Sequence, residues 1–420
     1  MEVVTFLPTQ TEIKTKQTSF VAINKKYNIQ YEKYEINPQK RNTIVTKSGA
    51  IITIPPDSLI DSSGLLLTDR CSIYYREIRK AGDIISNGIN MEFNENGKKY
   101  VLETSGMFEI RSFKDKNPIK IRDGKQLKVE YVSNSQEVYQ NYYFDEKTNE
   151  WKLSDKQEQS KNSTLLPLIN PTKKSSTDYI IKAKIDVSEI PQINDYNNIE
   201  WAYRGTENIS LLEQRLKQNL PKQEITIQDI SKMLLKYTLY SPVNTKDKIE
   251  LLLQPVFAEK NYEDALNAYK IRLKKIEEVK QKRKSLLSAN NVLNNFTITQ
   301  FGYQNCDVVY RYPGHIFVNA NFNFGQRDRD LNKQNMQIFL ITNKDKVTME
   351  FRNDFKMFNF NPNARNKIIG ILPGQAIGVM RSDDFSKMKI TPNSNVTFNL
   401  IEINQSIENL EKFNSLIDTL

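Results

Sequence analysis

The sequence predicts a protein that is mainly β with some α: several antiparallel β-sandwich domains joined by an α-rich middle with one long helix. Three observations carry this. Short runs of alternating, β-branched or aromatic residues recur through the first 205 residues and again from Phe296 on, separated by Asn-Gly, Asp-Gly and Pro-containing turns, the pattern of antiparallel sandwiches. Between them, Tyr262–Leu287 repeats apolar residues at spacings of four and three, the period of a helix. The 420 residues include 20 Phe, 20 Tyr and 38% hydrophobic residues, enough for several cores. No window approaches 18 consecutive apolar residues.

In chain order, Val45–Ile54 is an extended run broken at Ser48-Gly49 and stopped by Pro55-Pro56. Cys71–Ile78 alternates. Met91–Leu102 is a hairpin turning on Asn96-Gly97. Met107–Phe113 is a separate strand, and Ile119–Val132 a hairpin around Asp123-Gly124. Tyr142–Leu153 is another, turning near Lys147–Asn149. Polar Asp155–Ser176 is a loop or linker, and Tyr179–Val187 returns to strand. Ile209–Leu220 is a short helix and Ile249–Leu253 a strand. The long helix places Tyr262, Leu266, Tyr269, Leu273 and Ile276 on one stripe, expected to cover the neighbouring sandwiches. Asn290-Asn291 and Asn294-Asn295 end it. The later strands are Phe296–Phe301, Ile316–Phe324, Gln337–Thr342, Val347–Phe351, Ile368–Leu372, Ala376–Met380 and Val396–Glu402. Ile407–Leu420 closes the chain as an amphipathic helix through Ile407, Leu410, Phe413 and Ile417.

Scarcity excludes many chemistries. One histidine rules out a site with two His ligands in one chain, and two cysteines rule out CxxC zinc and iron–sulfur sites. A histidine-based catalytic unit needs His315, with Cys306 as nucleophile and Asp307 as orienter; its place after Pro313-Gly314 favours a structural turn instead. Cys71 and Cys306 are expected as two buried thiols. Asp328 and Asp330 are the metal candidates, through a two-carboxylate calcium site, but Arg327 and Arg329 oppose a cation there. Asp61–Gly64 and Asp383-Asp384 are turn chemistry. The net charge of +10 is thin, and the basic Arg272–Lys284 segment is interrupted by Glu277 and Glu278, so nucleic acid is not an expected partner. Glycine-rich phosphate loops are absent from the sequence, so no nucleotide cofactor is expected. Aspartates and glutamates are plentiful, yet nothing singles out a catalytic pair. Tyr142, Tyr143, Trp151, Trp201 and Tyr203 are aromatic residues suited to core or to contact with a protein or glycan.

Three segments, Gly49–Leu59 (GAIITIPPDSL), Ser72–Ile78 (SIYYREI) and Gly106–Arg111 (GMFEIR), resemble the ZU-five type of β-sandwich domain of ankyrins, netrin receptors and zonula occludens proteins. Further matches are Tyr142–Trp151 (YYFDEKTNEW), Gln254–Leu266 (QPVFAEKNYEDAL) and Phe296–Asp307 (FTITQFGYQNCD). Taken in order, they resemble a family of cell-envelope proteins of Bacteroidota, usually lipoproteins, that carry a ZU-five-like domain near the N-terminus. The resemblance implies the cell envelope (periplasm, outer membrane or cell surface), a protein partner there and peripheral or lipid-anchored membrane association. Two departures matter. Met1–Pro8 shows neither signal peptide nor acylated cysteine, so the expectation is a segment removed upstream of this numbering, with a cytoplasmic protein as the alternative. Where some ZU-five domains cleave themselves at His-Phe-Ser, this chain reads Gly106–Glu109 (GMFE), without base or hydroxyl nucleophile.

The expected organisation is an N-terminal extended segment over 1–40, a ZU-five-like sandwich over 41–113, a second small β module and linker over 114–178, an α+β middle over 179–292 with its long helix at 262–287, and a C-terminal sandwich with terminal helix over 293–420. The expected function is non-enzymatic binding or scaffolding through the sandwiches, with no catalytic residues and no cofactor. The alternative is a hydrolase acting on envelope or extracellular polymers with carboxylates.

Overall fold

The computed structural model describes residues 27–133, 140–154, 158–159, 170–182, 185, 193, 196–217, 220, 222–229, 233–240, 248–286, 292–324, 336–352, 355–372, 376–403 and 407–420. Strands hold 47% of the chain and helices 16%, so the protein is mainly β with some α, built from several antiparallel sheets. It divides into two compact units. The larger comprises residues 2–38, 43–161 and 287–420; the smaller comprises residue 1, 39–42 and 162–286.

The spine of the larger unit is one strand, Lys98–Lys114. The sequence predicts two elements here, the second arm of the Met91–Leu102 hairpin and a separate strand Met107–Phe113. The backbone instead continues through a bulge, with Gly106 at φ 139° and a register shift opposite between Asn305 and Asp307. One edge of the spine pairs antiparallel with Gly302–Tyr310. The other edge meets, in turn, Glu92–Glu95, Val347–Arg352 and Cys71–Ile78. The bend lets one strand serve two cores: Val101, Leu102 and Met107 belong to the first, Phe108 and Ile110 to the second.

The second core is the interior of a sandwich. Tyr75, Phe108 and Ile110 meet Ile52, Leu127, Val129, Tyr131 and Phe296 of a five-stranded sheet, whose order is Glu158–Gln159, Val292–Ile298, Leu127–Ser133, Ile51–Ile54 and Asn42–Val45. Strand pairing therefore crosses the sequence divisions at 113/114 and 292/293. The hairpin expected around Asp123-Gly124 is not formed: Lys120–Ile121 pairs with Leu59–Ile60, while Leu127–Ser133 pairs with Ile51–Ile54 and Val292–Ile298. The turn is real, with Gly124 at φ 77°, but it joins strands that enter one core from different sheets. Asn294 and Asn295, expected to end the long helix, lie inside Val292–Ile298 because pairing with Leu127–Ser133 overrides their local preference.

The C-terminal portion is three-layered. In Gln337–Thr342, Ile338 and Leu340 face one way while Phe339 and Ile341 face the other. The Phe339 side is covered by the helices Ala81–Ser86 and Leu410–Thr419, the latter inserting Phe413 and Ile417. The Ile338 side is covered by a three-stranded sheet of Phe358–Phe360, Ile316–Asn323 and Asn395–Asn399. Gly370 and Gly378 sit directly opposite each other on neighbouring strands. A Cβ on either would lie 2.6 Å from the Phe324 ring, so the two glycines make the slot that the ring fills.

In the smaller unit, Lys248–Phe257 lies between Glu200–Tyr203 and Leu234–Tyr240, and Lys222–Asp229 follows outside the latter. Trp201, Leu235, Leu251, Leu253 and Phe257 make its core. The long helix spans Glu259–Leu286. Ala265 is buried in that core, with Tyr262, Ala268 and Tyr269 packed against it. Leu273, on the predicted stripe, is 46% exposed, so the stripe is not covered continuously. No described helix is long and apolar enough to cross a membrane.

Candidate ligand-binding surface

His315, Cys306 and Asp307 do not converge. His315 follows the Pro313-Gly314 turn; its Nδ1 donates to Asn359 Oδ1 (2.9 Å) and its Nε2 accepts from the Tyr310 hydroxyl (3.1 Å). Burial lowers its pKa and keeps it neutral at pH 7. Cys306 is fully buried in the sandwich core, and burial raises its thiol to about 12. Cys71 lies in the same core; both thiols are free and buried. Asp307 is fully buried, accepts from Asn305 Nδ2, and is held by burial well above the usual carboxylate range. Asp328 and Asp330 lie outside the described residues. Among the described residues no group of three His, Cys, Asp or Glu side chains is placed to hold a metal ion.

The most charged interior site was not legible in the sequence. Arg76 and Glu109 are cross-strand partners, and Arg111 lies two residues beyond Glu109. Glu109 is fully buried and accepts from Arg76 Nε (2.6 Å), Arg111 Nε (2.8 Å) and the Tyr31 hydroxyl (2.7 Å). Burial pushes its carboxyl up, but the two guanidinium groups outweigh that and hold it at about 2. Arg76 also donates to Asn28 Oδ1, Asn87 Oδ1 and the Tyr303 hydroxyl, and lies 4.5 Å over the Tyr31 ring. These groups satisfy one another inside the fold, which is the arrangement of a structural clamp. It also occupies the Gly106–Glu109 stretch, which runs within the spine strand.

The aromatic residues singled out in the sequence are mostly interior: Tyr142, Trp151 and Trp201 are buried, and Tyr143 and Tyr203 half-buried. A different set is presented to solvent, on the outer face of the three-stranded sheet. The strand Ile316–Asn323 alternates, burying Val318, Ala320 and Phe322 and exposing Phe317, Asn319 and Asn321. Its parallel neighbour Asn395–Asn399 buries Val396 and Phe398 and exposes Asn395, Thr397 and Asn399. Register places Asn319 beside Asn395, Asn321 beside Thr397 and Asn323 beside Asn399. Asn319 Nδ2 donates to Asn395 Oδ1 (2.6 Å) and Asn323 Nδ2 to Asn399 Oδ1 (3.0 Å). On the third strand Asn359 pairs with Phe317, and through its bond to His315 it joins the amide rows to the Tyr310–Tyr312–His315 aromatic group. Phe317 is 43% exposed and Met357, beside Phe358–Phe360, is 61% exposed.

Underneath, Phe322 stacks on Phe398 at 5.4 Å, and Phe358, Phe360 and Phe385 close around them. A close-packed aromatic layer of this kind holds its backbone still, so the outward amides are presented in fixed rows. Six residue steps from Phe317 to Asn323 make a strip about 20 Å long. The signal lies in the sequence as a period of two, Phe317, Asn319, Asn321 and Asn323 on one strand and Asn395, Thr397 and Asn399 on the other, a pattern that by itself marks only a strand. The chain has no match among family models, curated proteins or solved structures.

Proposed function

We propose that this protein is a non-enzymatic binding or scaffolding component of the cell envelope, working through its β-sandwich-like modules. The observation that carries the reading is the outer face of the Ile316–Asn323 sheet: an open strip of ordered amides around an exposed phenylalanine, backed by a rigid aromatic layer. Such a face recognises and holds: its outward side chains are amides, one threonine and a phenyl ring. The envelope assignment rests on the resemblance of Gly49–Leu59, Tyr142–Trp151 and Phe296–Asp307 to the ZU-five-like Bacteroidota family, which also suggests a lipid anchor.

Fractionation of the native protein, followed by recovery of envelope components on the immobilised full chain, tests this. The expected result is native protein in the envelope fraction, with a retained component that Phe317→Ala releases. Native protein confined to the cytosol, with nothing retained from envelope material, would overturn it.

A further inference from the structure

We propose that the strip formed by Phe317, Asn319, Asn321, Asn359, Asn395 and Thr397 binds an extended, uncharged glycan. This deepens the binding reading above by naming the ligand class. Charged residues make up 26% of the chain, yet none occupies an outward position of the three strands between Phe317 and Asn399. A nucleic acid, an anionic lipid or a polyuronate calls for cations that this face does not offer.

What it offers is amides and one hydroxyl. Each carboxamide presents a carbonyl acceptor and two N–H donors side by side. A sugar hydroxyl is likewise donor and acceptor at once, so adjacent hydroxyls on a ring match an amide without charge on either side. The Asn319–Asn395 and Asn323–Asn399 bonds orient these amides before any ligand arrives, which lowers the entropy cost of binding. Phe317 supplies the complementary apolar element. Its ring is exposed at one end of the rows, where the C–H face of a pyranose can lie against the electron-rich face of the phenyl group. The length of the strip suits several linked sugars rather than one. Met357, beside the third strand, is 61% exposed and adds apolar surface next to the amide rows.

Affinity electrophoresis of the full chain through gels containing a soluble β-glucan, a mannan or a xylan tests the proposal, with polygalacturonate as the acidic comparison. Retardation by at least one neutral glycan is expected, and added salt leaves it unchanged because no ion pair is involved. Phe317→Ala, and separately Asn321→Ala with Thr397→Val, should each weaken retention about tenfold, while Leu153→Ala at an exposed position of a different sheet keeps it. These positions are solvent-facing, and circular dichroism with thermal melting verifies that the variants are folded. Three results would overturn the assignment: no retardation in any neutral gel, retardation that both face variants leave intact, or salt-sensitive binding to polygalacturonate alone. A protein retained through Phe317 while every glycan gel is inert would remove the glycan but leave the binding reading standing. Failure of both kinds of capture would remove both.

Discussion

At the residue scale, Glu109 and Asp307, both fully buried, respond to pH in opposite directions. Glu109 has its pKa lowered from 4.5 to about 2 in the fold. Its contribution is complete above its unfolded value and is lost as pH falls from about 4.5 toward 2, on the order of 3 kcal/mol. Asp307 is raised instead. Its protonated form suits the fold, so stability is lost as pH climbs above the ordinary carboxylate range. Urea unfolding across pH should therefore show Asp307→Asn more stable than the parent at pH 7, with the difference vanishing near pH 3. Glu109→Gln leaves Arg76 in the interior without its carboxylate, while Arg111 keeps Glu146, and should cost about 3–5 kcal/mol at pH 7; an unchanged urea midpoint would refute the clamp. The clamp could not be read from the sequence because Arg76 and Glu109 lie 33 residues apart, and only the antiparallel register of their strands brings them together.

At the element scale, agreement with the sequence follows local turn chemistry. The hairpin through Asn96 and Gly97 forms as expected, with both residues at positive φ (53° and 81°), the conformation that Asn-Gly favours. Cys71–Ile78 falls where alternation places it, and Gln337–Thr342 is a strand as expected. Gly302–Tyr310 was not predicted, because Gln304, Asn305 and Asp307 are polar yet buried. Alternation cannot mark a strand whose two faces both lie inside. The glycine slot gives a direct test. Gly370→Ala, and equally Gly378→Ala, should destabilise by about 1–3 kcal/mol in denaturant unfolding, because the added methyl meets the Phe324 ring. The double variant should cost less than the sum, since both methyls displace the same ring.

At the scale of the whole molecule, the chain makes two compact units whose segments interleave in sequence. Scanning calorimetry should resolve two transitions rather than one, and a single two-state transition would show the units to be thermodynamically one. The class of fold was written in the chain: turn residues set backbone reversals within a few positions, and alternating side chains set where strands run. The same local information marked the long helix, and the amide rows of 317–323 and 395–399 were present as a period of two. What those rows mean was not local. Asn319 and Asn395 lie 76 residues apart, and whether the Asn or the Phe side of each strand meets water depends on which sheet closes over the other side. That choice is made by burial of Phe322, Phe358 and Phe398 against a core assembled from distant segments. Burial is a property of the assembled layers, so the outward surface, and with it the candidate site, took shape only as the sheets stacked.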